Sequence, residues 1–184
     1  RRAKLRLVSP GASADKGAEM SEPRFGTVLI TGASGFIGRR LRDALLDRGA
    51  DVVALRRARS PEPDRGRSVA IDYGDVDGLA EVIRAEGPTH VFHVAGATKG
   101  VARANVMPTE NLLEAARRGP GLERFVLVSS LAAWGPSSPE APHTEASPPQ
   151  PVEHYGRSKL AAEQAVEASG VPYTILRPGG VYGP

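Results

Sequence analysis

Six short apolar runs punctuate the chain from Thr27 onward: TVLIT (27–31), DVVAL (51–55), SVAI (68–71), HVFHVAG (90–96), RFVLVSS (124–130) and PYTILRP (172–178). They are rich in β-branched residues and apolar at consecutive rather than alternating positions. Strands buried on both faces carry that pattern, as in a parallel sheet covered by helices. Stretches of helical periodicity lie between the runs. Phe36 to Arg48 sets Phe36, Ile37, Leu41, Ala44 and Leu45 on one side and arginines and aspartates on the other, with Gly49 as the stop. Residues 76–86, 111–119 and 155–169 repeat the theme. The alternation predicts right-handed βαβ units and a doubly wound α/β fold whose parallel sheet has the order 3-2-1-4-5-6. Pro136 to Pro151 carries six prolines in sixteen residues, which makes it a loop.

The segment Thr31-Gly-Ala-Ser-Gly-Phe-Ile-Gly38 joins the first strand to the first helix. Gly32, Gly35 and Gly38 meet three demands of a dinucleotide site: a tight turn, backbone close to a pyrophosphate, and close packing of helix on strand. The helix N-terminus, with Ser34, Phe36 and Ile37 around it, offers unpaired N–H groups to an anion. An NAD-type site usually has an acidic residue at the carboxyl end of the second strand, about 20 residues on. Asp51 stands at the beginning of that strand, whereas its carboxyl end reads Leu55-Arg56-Arg57. Guanidinium groups there suit a ribose 2′-phosphate, so the expected cofactor is NADP, held by Arg56 with Arg57 or Arg39 in support, and NAD stays open as the alternative.

Composition adds limits. Hydrophobic residues make up 40% and charged residues 24%, which argues against wholesale disorder. The net charge of +3 sits in residues 1–19, and the rest of the chain balances, so a nucleic-acid face on the fold is not expected. Residues 1–20 read as a disordered basic tail, Met20 as the biological start, and residues 21–184 as one domain. No apolar run approaches the about 20 residues of a membrane span, and the basic start lacks a signal-peptide core, so the expected location is cytoplasmic. The absence of cysteine excludes disulfides, thiolate catalysis and Cys-ligated zinc. His90, His93, His143 and His154 lack metal-ligand spacing; His93 reads as a packed strand histidine and His154 as a solvated one. Arg117, Arg118 and Arg124 read as an exposed helix end.

Tyr155-Gly-Arg-Ser-Lys159 opens the last helix, and i, i+4 spacing puts Tyr155 and Lys159 on one face. A phenol is a poor acid–base catalyst at neutral pH unless a neighbouring cation favours its ionised form. TGASGFIG, HVAG, VSSLAAWG, YGRSK and LRPGGVYGP, in that order, strongly resemble the extended short-chain dehydrogenase/reductase family. Within it the chain is similar to the NAD(P)-dependent epimerase/dehydratase and dihydroflavonol-reductase/3β-hydroxysteroid-dehydrogenase-like groups, over roughly residues 27–184. The resemblance implies a Rossmann domain and the following roles. Ser130 would donate a hydrogen bond to the substrate oxygen, Tyr155 would be the acid–base, and Lys159 would tune it and hold the nicotinamide ribose. Asn105 would support the lysine through water. Asp72 and Tyr73 would flank the adenine, Ala95 and Gly96 would line the cofactor, and Pro178 to Val181 would lie beside the nicotinamide.

The departures from the family pattern are informative. Leu131 and Ala132 stand where dehydratases carry Asp-Glu, so sugar-nucleotide dehydration is not expected. Trp134 replaces the usual Tyr, Pro108 stands where glycine is common, and the connection from Gly96 to Asn105 is short. The family continues past VYGP with another strand and a small substrate lobe, so the domain reads as incomplete at its C-terminus and weak in cofactor binding by itself. The expected function is hydride transfer between NADP(H) and a carbonyl or secondary alcohol of a small-molecule substrate. A nucleotide-sugar epimerase with bound NAD, a dinucleotide-sensing regulator and an inactive dinucleotide-binding fragment are the alternatives; a homodimer is left open.

Overall fold

A computed structural model describes residues 25–97 and 103–183. The tail expected at 1–20 lies outside the described residues. The elements run β1 (Thr27–Thr31), α1 (Phe36–Asp47), β2 (Asp51–Arg56), β3 (Arg67–Ala70), α2 (Val76–Glu86), β4 (His90–His93), α3 (Arg103–Arg117), β5 (Arg124–Val128), a 3-10 turn (Leu131–Ala133), α4 (His154–Ala168) and β6 (Tyr173–Leu176). The strands form one sheet in the order β3-β2-β1-β4-β5-β6, with every named pairing parallel. Thr31 stands level with Leu55 on one side and His93 on the other, so the chain leaves the sheet's carboxyl edge at the switch point, where α/β folds bind ligands.

Two apolar clusters sandwich the sheet. Leu29, Val53, Val91 and Phe125 face α2, α3 and α4, while Val28, Ile30, Val52 and Ala54 face α1. This alternation explains the continuous apolar runs of β1, β2 and β5. The edge strands differ: β3 and β6 have no fully buried residue, because each has a neighbour on one side only. Double burial, expected for all six runs, holds for β1, β2 and β5, whereas β4 is fully buried only at alternate positions. No described helix is long and apolar enough to cross a membrane.

Three local readings are corrected. Helix α1 buries Arg42 at 1% exposure, although periodicity puts the arginines on its solvent side. The β2–β3 crossover has no helix; its loop, residues 57–66, lies against α1 and supplies a carboxylate to that arginine. Arg42 Nη2 lies 2.6 Å from Asp64 and 2.8 Å from Asp43, while Arg65 reaches Asp47 at 2.8 Å. Helix α3 begins near residue 103 rather than 111 and continues through Pro108. Pro108 cannot donate to the preceding turn; the next residue, Thr109, donates its hydroxyl to the Asn105 carbonyl at 2.8 Å. Arg124 opens β5 rather than closing a helix, and its guanidinium donates to the Tyr173 carbonyl of β6 at 3.1 Å.

Candidate active site

A cleft of about 510 Å³ opens along the carboxyl edge of the sheet. Its walls bring together residues far apart in the chain. The turn after β1 and the start of α1 contribute Gly32, Ser34, Gly35, Phe36, Ile37 and Gly38. Arg56 and Arg57 line it from the end of β2, Tyr73 from the segment after β3, and Ala95 and Gly96 from the end of β4. Tyr155 and Lys159 descend from α4, and Val181 closes the far side. Other expected residues sit around this cleft rather than on its wall. Asp72 lines a neighbouring hollow with Arg57, Arg59 and Ser60, and its carboxylate accepts from Gly74 N–H at 2.9 Å. Pro178 accepts from Leu131 N–H at 3.1 Å, which ties the segment after β6 to the 3-10 turn.

Sterics fix the glycine turn. Gly32 has φ +71°, and a Cβ there would lie 2.7 Å from Ala95 N, so the turn sits directly on the end of β4. A Cβ on Gly38 would lie 2.0 Å from the Gly32 carbonyl oxygen, so the first turn of α1 rests on the loop itself. Gly35 has an ordinary φ of −78°, and a Cβ there would lie 3.2 Å from the Gly32 carbonyl oxygen, a tight contact but far looser than that at Gly38. Helix α1 opens with no side-chain cap and no acidic residue in its first turn. By contrast, Asp75 caps α2 through Gly78 N–H at 2.9 Å, with Asp77 following. The amides of α1 and the positive end of its dipole therefore meet the cleft without an internal anion, the setting a pyrophosphate requires.

A buried polar chain holds this turn against α3. Thr31 Oγ1 accepts the Val94 and Ala95 N–H groups at 3.1 and 3.0 Å, so its own proton goes to His93 Nδ1 at 2.7 Å. His93 Nε2–H then donates to Thr109 Oγ1 at 3.0 Å, whose proton is committed to the Asn105 carbonyl. Both ends assign the same neutral tautomer to His93. Burial pushes its pKa down to about 3, with help from the Lys159 ammonium. Its reading as a packed histidine agrees with this placement.

Lys159 is buried and donates from Nζ to the Val128 carbonyl at 3.0 Å. Burial pushes its pKa down, and the Glu163 carboxylate, one helical turn farther along α4, pulls it back up. Gly96 lies against this ammonium: a Cβ there would come within 2.9 Å of Nζ. Asn105 accepts from Ala97 N–H at 2.7 Å and donates to the Ala97 carbonyl and Ser158 Oγ, both at 2.9 Å. Its side chain thus joins the loop after β4 to the first turn of α4, where Ser158 Oγ donates to the Tyr155 carbonyl at 2.7 Å. Ser130 stands one residue beyond the cleft wall formed by Val128 and Ser129; it caps the 3-10 turn, accepting Ala132 N–H at 3.2 Å.

The sequence reading missed the group beneath Ser130. Ser129 donates to Glu163, which receives Arg177 through Nε at 3.0 Å and Nη2 at 2.9 Å. The Arg177 guanidinium lies 3.6 Å over the Trp134 ring. One signal was available: Glu163 follows Lys159 by the same four residues that separate Lys159 from Tyr155. Asp51 lies at the opposite edge of the sheet, where the Arg67 hydrogen bond holds its carboxyl below the usual range. Among the described residues, no group of three His, Cys, Asp or Glu side chains is placed to hold a metal ion.

The family model described as the NAD dependent epimerase/dehydratase family matches residues 28–184. The chain is 36% identical over 167 residues to the dTDP-6-deoxy-L-talose 4-dehydrogenase (NAD(P)(+)) of Kitasatospora kifunensis, covering 85% of this chain and 52% of that protein. It is 37% identical over 166 residues to the ceramide reductase of Caulobacter vibrioides, covering 86% and 47%. Among solved structures, the UDP-glucose 4-epimerase of Thermus thermophilus in complex with NAD superposes with a TM-score of 0.74 at 30% identity, covering 86% of this chain and 56% of that one. The chain thus spans about half the length of the curated relatives it matches. Its match over residues 28–184, laid on a parallel sheet with this cleft at its switch point, places it in the NAD(P)-dependent epimerase/dehydratase family of extended short-chain dehydrogenases/reductases.

Proposed function

We propose that this chain is the cofactor-binding and catalytic half of an NADP(H)-dependent oxidoreductase acting on a carbonyl or secondary alcohol of a small molecule. The observation that carries the reading is one cleft with an uncapped helix N-terminus in its wall, Arg56 and Arg57 on it from β2, and Tyr155 and Lys159 on it from α4. The glycine turn would hold the pyrophosphate, Arg56 and Arg57 the 2′-phosphate, and Asp72 and Tyr73 the adenine. Ala95, Gly96 and the stretch Pro178 to Val181 would line the remaining length. When bound, the nicotinamide supplies or accepts the hydride.

The protein's own groups manage the oxygen of the substrate. Tyr155 gives its phenolic proton to that oxygen in reduction and takes it back in oxidation. Lys159, anchored on the Val128 carbonyl, with the Glu163 carboxylate opposing the effect of its burial, stabilises the phenolate left behind. Ser130, two residues past β5 at the head of the 3-10 turn, donates a hydrogen bond that fixes the oxygen. Names among the relatives, a dehydrogenase and a ceramide reductase, agree with this class of reaction. The test follows NADPH absorbance in the complete protein over a panel of aldehydes, ketones and nucleotide sugars. Stoichiometric NADPH consumption with a carbonyl substrate is expected. Isomerisation of a nucleotide sugar without net cofactor consumption would replace the reading by the epimerase one.

A further inference from the structure

Arg56 is not a free cation. Its Nε donates to Ser68 Oγ at 3.3 Å, and Nη1 to the carbonyls of Ala58 and Ser60 at 3.5 and 3.3 Å. Its Nη2 is paired with the Glu62 carboxylate. The two partners are held unequally. The Arg56 side chain is 17% exposed, fixed by the strand and the carbonyls around it, whereas Glu62 is 73% exposed. Glu62 nevertheless has a defined place. Pro61 and Pro63 on either side restrict the backbone and line the cleft, and Arg42 holds the next residue, Asp64.

We infer that Glu62 sets the discrimination between NADP and NAD, acting as an internal anion on the Arg56 guanidinium that a 2′-phosphate must displace. The inference rests on the proposed cofactor cleft and deepens it. A phosphate dianion and a carboxylate compete for the same guanidinium edge, and their mutual repulsion drives the more exposed one away. A ribose 2′-hydroxyl carries no charge and brings a proton to donate, which the Glu62 carboxylate accepts while it stays on Arg56. Glu62 therefore opposes NADP and favours NAD. It supplies from the loop the acid that the end of β2 lacks, while Arg57, which lines the cleft with no ion pair among the described residues, receives the phosphate first.

The test measures NADP and NAD affinities by titration calorimetry on the complete protein, the 2′-phosphate being the only difference between the probes. Glu62→Gln should raise the NADP:NAD affinity ratio about fivefold, as expected for releasing a cation from an exposed ion pair. Glu62→Ala should raise the ratio as well, which separates the charge from the shape of the loop; Arg56→Ala should lower it. If Arg56→Ala lowers the ratio but neither Glu62 variant raises it, the role of Glu62 is overturned and the NADP reading stands. Opposite shifts in the two Glu62 variants would assign the effect to loop conformation and also overturn it. If Arg56→Ala leaves the ratio unchanged, the NADP reading fails and the inference with it. Failure of the complete protein to bind either dinucleotide at millimolar concentration overturns both.

Discussion

Replacing His93 should change how stability responds to acid, and the size of the change follows from its burial. The imidazole is closed in by the sheet and α3, with both nitrogens satisfied by threonine hydroxyls in the neutral form. In the unfolded chain it binds a proton near pH 6.5, whereas in the folded protein it does so only near pH 3. Between those values the unfolded state holds the extra proton, so stability falls as pH falls, by up to about 1.4 kcal/mol per pH unit. Integrating from pH 7 to pH 5 gives a loss of about 1.9 kcal/mol from this residue alone, a figure that barely moves if the folded value is 4 rather than 3. Urea unfolding of the wild type and of His93→Gln at pH 7, 6 and 5 isolates the contribution, because the other titrating groups cancel in the difference. The wild type should lose about 1.9 kcal/mol more than the variant over that range. Parallel curves, separated by a constant offset, would refute the neutral, fully bonded histidine.

Two further substitutions separate fold from ligand binding at the glycine turn. Gly38→Ala drives a Cβ into the Gly32 carbonyl and should cost at least about 2 kcal/mol of stability in urea, whereas Gly35→Ala should cost under about 1 kcal/mol yet weaken dinucleotide binding in calorimetry. Beneath Ser130, Arg177→Met leaves the buried Glu163 carboxylate without its cation and should cost about 3–5 kcal/mol, much of it recovered when Glu163→Gln is added. Additive single costs in that cycle would contradict a buried ion pair.

The sheet order was legible because apolar runs alternate with helical stretches at all but the β2–β3 crossover, and because a glycine turn after the first run marks the switch point. The same patterning misled at Arg42: periodicity treats every arginine as solvated, whereas the neighbouring Asp43 and the return of Asp64 from the loop pair its buried guanidinium. The start of α3 was hidden by Pro108, a residue that cannot donate to the preceding helical turn and is rare inside helices. At the site, Tyr155 and Lys159 were visible as a spacing on one helix. The contacts of Thr31 with His93, of Ser129 with Glu163 and of Glu62 with Arg56 were not, since the first two cross between elements and the third depends on the course of a loop.

The central claim is that Tyr155 moves the proton at the cleft. Single-turnover reduction by the complete protein, followed with protio and deuterated NADPH to show that chemistry limits the rate, tests it in the wild type and in Tyr155→Phe. The variant keeps the ring and loses only the acidic hydrogen. Dinucleotide affinity should stay within about twofold while the chemical step slows by about 10²–10⁴-fold. A Tyr155→Phe protein that retains the wild-type rate with chemistry still limiting would contradict the account.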